Sequence, residues 1–110
     1  FRSNAAKEAY QTFLHNFPSD NKAVTALINL GYSQKALNEI TAAIDSFNKV
    51  LENKQTDPSL LPELLLVTAQ LYELNHTNHS AELLYNNIIT NFPNSKEANI
   101  AKQNLQSKNK

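Results

Sequence analysis

Cysteine is absent, which removes disulfides, thiolate catalysis and cysteine-based zinc sites, and leaves the chain compatible with any redox compartment. A single glycine, Gly31, leaves little for tight hairpins, bulges or loops that cradle phosphate. No apolar run approaches the length of a transmembrane helix, so no direct membrane insertion is expected. Neither sign of charge is in excess: Lys and Arg number ten, as do Asp and Glu. That balance gives no reason to expect nucleic acid or an anionic membrane as partner. No signal peptide is recognisable, and the chain opens on Phe1 rather than Met, as a processed or trimmed piece would.

What remains is a 110-residue chain, 41 % hydrophobic, enough for one domain with a modest core. The scarcity of glycine points to helices. A repeat organises them. Asn16-Phe17-Pro18 returns 75 residues later as Asn91-Phe92-Pro93, and the alanines and leucines that follow, Ala23 and Leu30, return as Ala98 and Leu105. Between them, Ala6–Tyr10, Ala43–Phe47 and Ala81–Tyr85 share one small-to-aromatic spacing, their alanines 37 and 38 residues apart. The long echo is therefore two periods of a shorter unit.

Each copy carries a helical pattern. Ile40, Ala43, Ile44, Phe47, Val50 and Leu51 share one face, as do Ala81, Leu84, Tyr85, Ile88 and Phe92. Ala6, Ala9, Tyr10, Phe13, Leu14 and Phe17 repeat the arrangement. A further helix precedes the second and third copies. Gly31 and Ala69 each lie twelve residues before an alanine, Ala43 and Ala81, and small residues there let antiparallel helices approach closely. Pro18 and Pro93 stop a helix, Asp20 and Ser95 are placed to cap the next one, and Pro62 suits a first turn. Asn38 and the His76-Thr77-Asn78 segment make the turns inside pairs. The reading is six helices, about 3–16, 21–37, 39–54, 59–75, 78–91 and 95–107.

This pattern resembles the tetratricopeptide repeat. Leu30, Gly31, Ala43 and Phe47 match that family's Leu-Gly, Ala and Phe, and Ala69, Tyr72, Ala81, Tyr85 and Pro93 match its later positions. Leu27 and Leu65 stand where the family has tryptophan, and the unit is longer than the usual repeat. The recurring aromatic-Pro-x-Ser/Asp followed by spaced alanines is similar to bacterial cell-envelope repeat proteins of the Tol-Pal coordinator and outer-membrane assembly lipoprotein kinds. The resemblance implies an all-α right-handed superhelix of antiparallel helix pairs. It would form one domain over 1–110: a half-repeat to 18, repeats over 19–56 and 57–94, and a capping helix over 95–110. Such repeats stack because one pair cannot bury its own apolar face.

No chemistry-bearing constellation competes with this reading. His76 and His79 sit in a turn without a third ligand nearby, and solvated turn residues are the better account. His15 reads as surface. Ser, His and Asp residues form no nucleophile motif. Glu52, Asp57 and Glu63 cluster near a loop and suit helix ends better than acid–base work. The aromatic set Tyr10, Phe13, Phe17, Phe47, Tyr85 and Phe92 follows the repeat and reads as core and junction. No enzyme activity, cofactor or metal is expected.

The family resemblance also implies a binding surface, since the first helices of successive pairs line a groove. Thr25, Ile28, Asn29, Tyr32 and Lys35 would come from one pair, and Glu63, Leu66, Gln70 and Glu73 from the next. The alternative is that Ile28 and Leu66 only complete inter-repeat packing. The implied partner is a protein or peptide segment. The function expected is a scaffold in a periplasmic or envelope complex, with a cytosolic co-chaperone or regulatory module, or a structural or accessory domain, as alternatives. The first helix reads as the second member of a pair. It should therefore leave apolar surface exposed, and self-association through it is expected.

Overall fold

The computed structural model describes residues 2–108. Six α-helices form: α1 (Arg2–Asn16), α2 (Ala23–Ala36), α3 (Ile40–Glu52), α4 (Leu61–Leu74), α5 (Asn78–Asn91) and α6 (Lys96–Lys108). A 3-10 turn at Pro58–Leu60 precedes α4, and there is no strand among the described residues. By packing, the chain divides into two units, one ending at Thr56 and the other beginning at Asp57.

In the first unit α2 packs against both α1 and α3, which do not pack on each other. Ala26, Leu30 and Gly31 of α2 are buried, as are Ala43, Ile44, Phe47 and Val50 of α3. The crossing depends on Gly31. A Cβ built there would lie 2.8 Å from Phe47 Cζ, closer than side chains tolerate, and Phe47 is fully buried. A hydrogen bond inside the same crossing, from Ser46 Oγ to Gln34 Oε1 at 2.6 Å, satisfies two buried polar side chains. Thr56 closes the unit by donating its hydroxyl to the Val50 carbonyl at 2.6 Å, a second bond to an oxygen that already accepts from the Asn53 N–H at the end of α3.

The second unit is built differently. α4 packs against α5 and α6, and α5 packs against α6. From Leu64 to Ala69 every residue of α4 is buried, and Leu71 follows. Thr68 is tolerated inside because its hydroxyl donates to the Leu64 carbonyl at 2.7 Å. Ala69 and Ala81 have no exposed surface, as has Ala43 in the first unit. Ala43→Leu and Ala81→Leu are each expected to lower stability by about 1–3 kcal/mol through overpacking. Denaturation midpoints unchanged in both variants would show that these alanines do not sit at helix crossings.

The punctuation is as repetitive as the helices. At the end of α2, Asn38 takes φ 62°; its N–H donates to the Lys35 carbonyl at 3.0 Å and that of Glu39 to the Gln34 carbonyl at 2.8 Å. At the end of α4, His76 takes φ 60°, with the same two bonds to Glu73 and Tyr72 at 3.0 and 2.8 Å. Both are Schellman closures with a left-handed residue after the last turn. Asn and His are among the residues that tolerate that conformation best. The two Phe-Pro junctions also agree: Phe17 N–H donates to the Phe13 carbonyl and Phe92 N–H to the Ile88 carbonyl, each at 2.8 Å.

One expected cap differs. Ser95 Oγ accepts from the Ala98 N–H at 3.1 Å, capping α6. Asp20, its counterpart, accepts instead from the Lys22 N–H at 2.8 Å in a turn before the helix, and α2 starts at Ala23 rather than 21. Each start carries a lysine, Lys22 before α2 and Lys96 at the head of α6, but the residues that follow differ. Glu97 lies in the first turn of α6, where the helix dipole favours an anion, whereas the first turn of α2 carries no acid. Asp57 does cap: it accepts from the Ser59 N–H at 3.0 Å, and that bond holds its carboxyl below the usual range.

Candidate functional site

The residues expected to bind a partner fall on two helices. On α2, Thr25 and Lys35 are exposed and Ile28, Asn29 and Tyr32 are half-buried, opposite the buried edge of Ala26, Leu30 and Gln34. Steps of three and four residues keep these five on one side of the helix. Tyr32 is also part of the packing, its ring edge-on to Phe47 with centroids 5.0 Å apart. On α4, in the other unit, Glu63 is exposed and Gln70 and Glu73 are half-buried. Leu66 is only 9 % exposed and belongs to the buried part of that helix.

Two of the α2 residues, Thr25 and Asn29, line a cleft of ≈ 540 Å³ with Ala26, and α1 forms its other wall through Ala9, Tyr10 and Phe13. Lys22 stands at its lip. The lining is apolar apart from the Tyr10 hydroxyl, the Asn29 amide, Thr25 and Lys22. Local sequence reading did not assign the α1 residues to a site, although it placed an uncovered apolar flank on that helix. Phe17, expected in a junction, is 54 % exposed and leans on Phe13 with ring centroids 5.4 Å apart. A second cleft of similar volume opens on the other side of α2, over Leu27, Leu30 and Gln34, with His15, Asp45 and Lys49 around it. Its buried polar pair, Gln34 and Ser46, is already satisfied internally.

His76 serves as the left-handed residue of a helix end, and His79 is exposed in the first turn of α5. No cluster of three or more metal-ligating side chains occurs among the described residues. Among the described residues no helix is long and apolar enough to cross a membrane.

The most organised polar group lies in the second unit. The Tyr85 hydroxyl donates to the Glu73 carboxylate and accepts from Asn104 Nδ2 at 3.0 Å, so that α4, α5 and α6 meet on one oxygen. Burial first, and the bond to Glu73 second, push the Tyr85 hydroxyl well above the ordinary tyrosine range.

Residues 25–53, from the first turn of α2 to the end of α3, match the tetratricopeptide repeat family model. The match supports the tetratricopeptide family for this helix pair. No curated protein matches the chain.

Proposed function

We propose that a chain whose α2–α3 pair matches the tetratricopeptide repeat works as a non-catalytic protein-interaction scaffold. In the first unit its contact face is Thr25, Ile28, Asn29, Tyr32 and Lys35 on α2. In its own unit, the side of α4 carrying Glu63, Gln70 and Glu73 has the same role, with Leu66 buried beneath it as packing. One observation carries the reading: α2 is tethered by a buried edge while the opposite side keeps an apolar centre, Ile28 and Tyr32, between polar ends. Interfaces that recognise peptides and helices have this composition.

Few buried anchors dominate such interfaces, so Tyr32→Ala is expected to weaken partner binding by about 2 kcal/mol with little change in salt dependence. The test is photocrosslinking in cells with a benzophenone side chain at Ile28, compared with the same group at Leu83 on the exposed side of α5. Partner capture from Ile28 alone supports the site. Capture from Leu83 alone rejects it. The same proposal puts the scaffold in a bacterial cell-envelope complex, in line with the resemblance of the two Phe-Pro junctions to envelope repeat proteins. Recovery of the full-length protein from the cytosolic fraction alone would refute that location.

A further inference from the structure

The turn between α4 and α5 carries a motif that the helix packing does not use. Of the sixteen asparagines in the chain, only Asn75 and Asn78 begin the pattern Asn-x-Ser/Thr with x other than proline, as Asn75-His76-Thr77 and Asn78-His79-Ser80. That pattern is the acceptor for N-linked glycosylation. Both asparagines are exposed, but their backbones differ. Asn78 is the first residue of α5, and Ser80 is half-buried within that helix. Asn75 stands just past the end of α4, and His76 turns with φ 60°. Asn75-His76-Thr77 therefore lies between two helices and belongs to neither.

The first pair shows what such a turn needs. There Leu37, Asn38 and Glu39 take the places of Asn75, His76 and Thr77, with the same closing hydrogen bonds. The left-handed middle residue is what the two turns share, so the closure requires neither an asparagine at 75 nor a hydroxyl at 77. Threonine before a helix usually caps it, yet the Thr77 hydroxyl accepts from no N–H of α5. It sits on Asn75 instead, accepting from Nδ2 at 3.3 Å. Beside it Leu74 is 61 % exposed, an apolar side chain that a sugar on Asn75 would cover. Glu73 supplies the acid two residues before the asparagine that bacterial transferases of this class require. We propose that Asn75 is an acceptor for an N-linked oligosaccharide. In the transfer, Asn75 Nδ2 bonds to the anomeric carbon of a sugar carried as a lipid diphosphate. The bond from that carbon to the diphosphate oxygen breaks, the lipid diphosphate leaves with the electron pair, and one amide proton passes to solvent. The product is a bulky, solubilising group at the α4–α5 turn.

This inference rests on the envelope location proposed above, since such transfer takes place outside the cytosol, and its test fixes the compartment. The full chain is exported to the periplasm of a bacterial host that carries an oligosaccharyltransferase and its lipid-linked oligosaccharide, alongside an established acceptor protein. Mass spectrometry of the digested chain is expected to find Asn75 enlarged by the mass of the glycan. Asn75→Gln, Thr77→Ala and Glu73→Gln should each lose it. Thr77→Ser should keep it, and Asn78→Gln should leave it unchanged. A bare Asn75 beside a modified acceptor protein would overturn the site, as would a glycan carried on Asn78 alone or one that survives Thr77→Ala. Native protein from the envelope fraction should yield the same glycopeptide, and a bare Asn75 there would overturn the proposal as well. Fractionation reads the location separately: full-length protein recovered from the cytosol alone refutes the location, while the exported chain still decides the site.

Discussion

Phe47→Ala is expected to cost about 3–5 kcal/mol, a large share of what a unit of this size can spare. Phe47 is fully buried on α3, meets the edge of Tyr32, and lies against the bare Cα of Gly31. Truncation removes the transfer energy of the ring and opens a void where two helices touch. A second substitution separates packing from propensity. Gly31→Ala should gain up to about 1 kcal/mol from helix propensity. The new methyl, however, would meet three atoms of the ring at 2.8 to 3.0 Å, and overpacking of this kind costs about 1–3 kcal/mol. Because the ring is enclosed on all sides, the loss should win, and Gly31→Ala should destabilise. In a Phe47→Leu background the clash is gone, and the same Gly31→Ala change should stabilise. Urea midpoints of the four proteins measure this directly. Equal destabilisation by Gly31→Ala in both backgrounds would place the penalty somewhere other than the Phe47 ring.

That crossing was legible because its signals are local. Gly31 is the only glycine, it sits within a helical pattern, and an alanine and phenylalanine recur at fixed distances after it. The helix ends were legible for a similar reason: Asn38 and the His76 segment follow apolar stripes at the point where a left-handed residue must close a helix. Three features were not. The 3-10 turn at Pro58 depends on Asp57 accepting from Ser59, a choice between two ways of starting one helix that periodicity does not encode. The late start of α2 goes with Asp20 accepting from the Lys22 N–H inside the preceding turn, a local choice that periodicity does not encode either. The cleft is the clearest case. Tyr10 and Tyr85 hold the same position in the repeat, each four residues after an alanine and six before Asn-Phe-Pro, yet one is half-exposed and the other has no exposed surface. The difference is a helix, α4, that packs on α5 and α6, while among the described residues no helix packs on both α1 and α2, so no window of residues around Tyr10 contains the answer.

Tyr85 offers the second large effect. Tyr85→Ala is expected to cost about 3–5 kcal/mol, since it removes a fully buried ring from between α4, α5 and α6. Tyr85→Phe keeps the ring and deletes only the oxygen, leaving the Glu73 carboxylate and the Asn104 amide without that partner. About 1–2 kcal/mol is expected, because both groups are partly solvated and water replaces some of the loss. The two variants should also differ from the parent in pH response. The folded hydroxyl holds its proton to higher pH than the unfolded one, through burial and the bond to Glu73. Below pH 10 both states are protonated and the shift has no consequence for stability. Above it the unfolded chain loses the proton first, so stability falls as pH rises, by at most about 1.4 kcal/mol per pH unit. Tyr85→Phe should therefore be less stable than the parent at pH 7, and the gap should narrow between pH 10 and 11. Urea denaturation at these three pH values provides the check. A gap that stays constant across them would mean that the hydroxyl titrates alike in the folded and unfolded chain, and that the three-helix junction gains nothing from holding its proton.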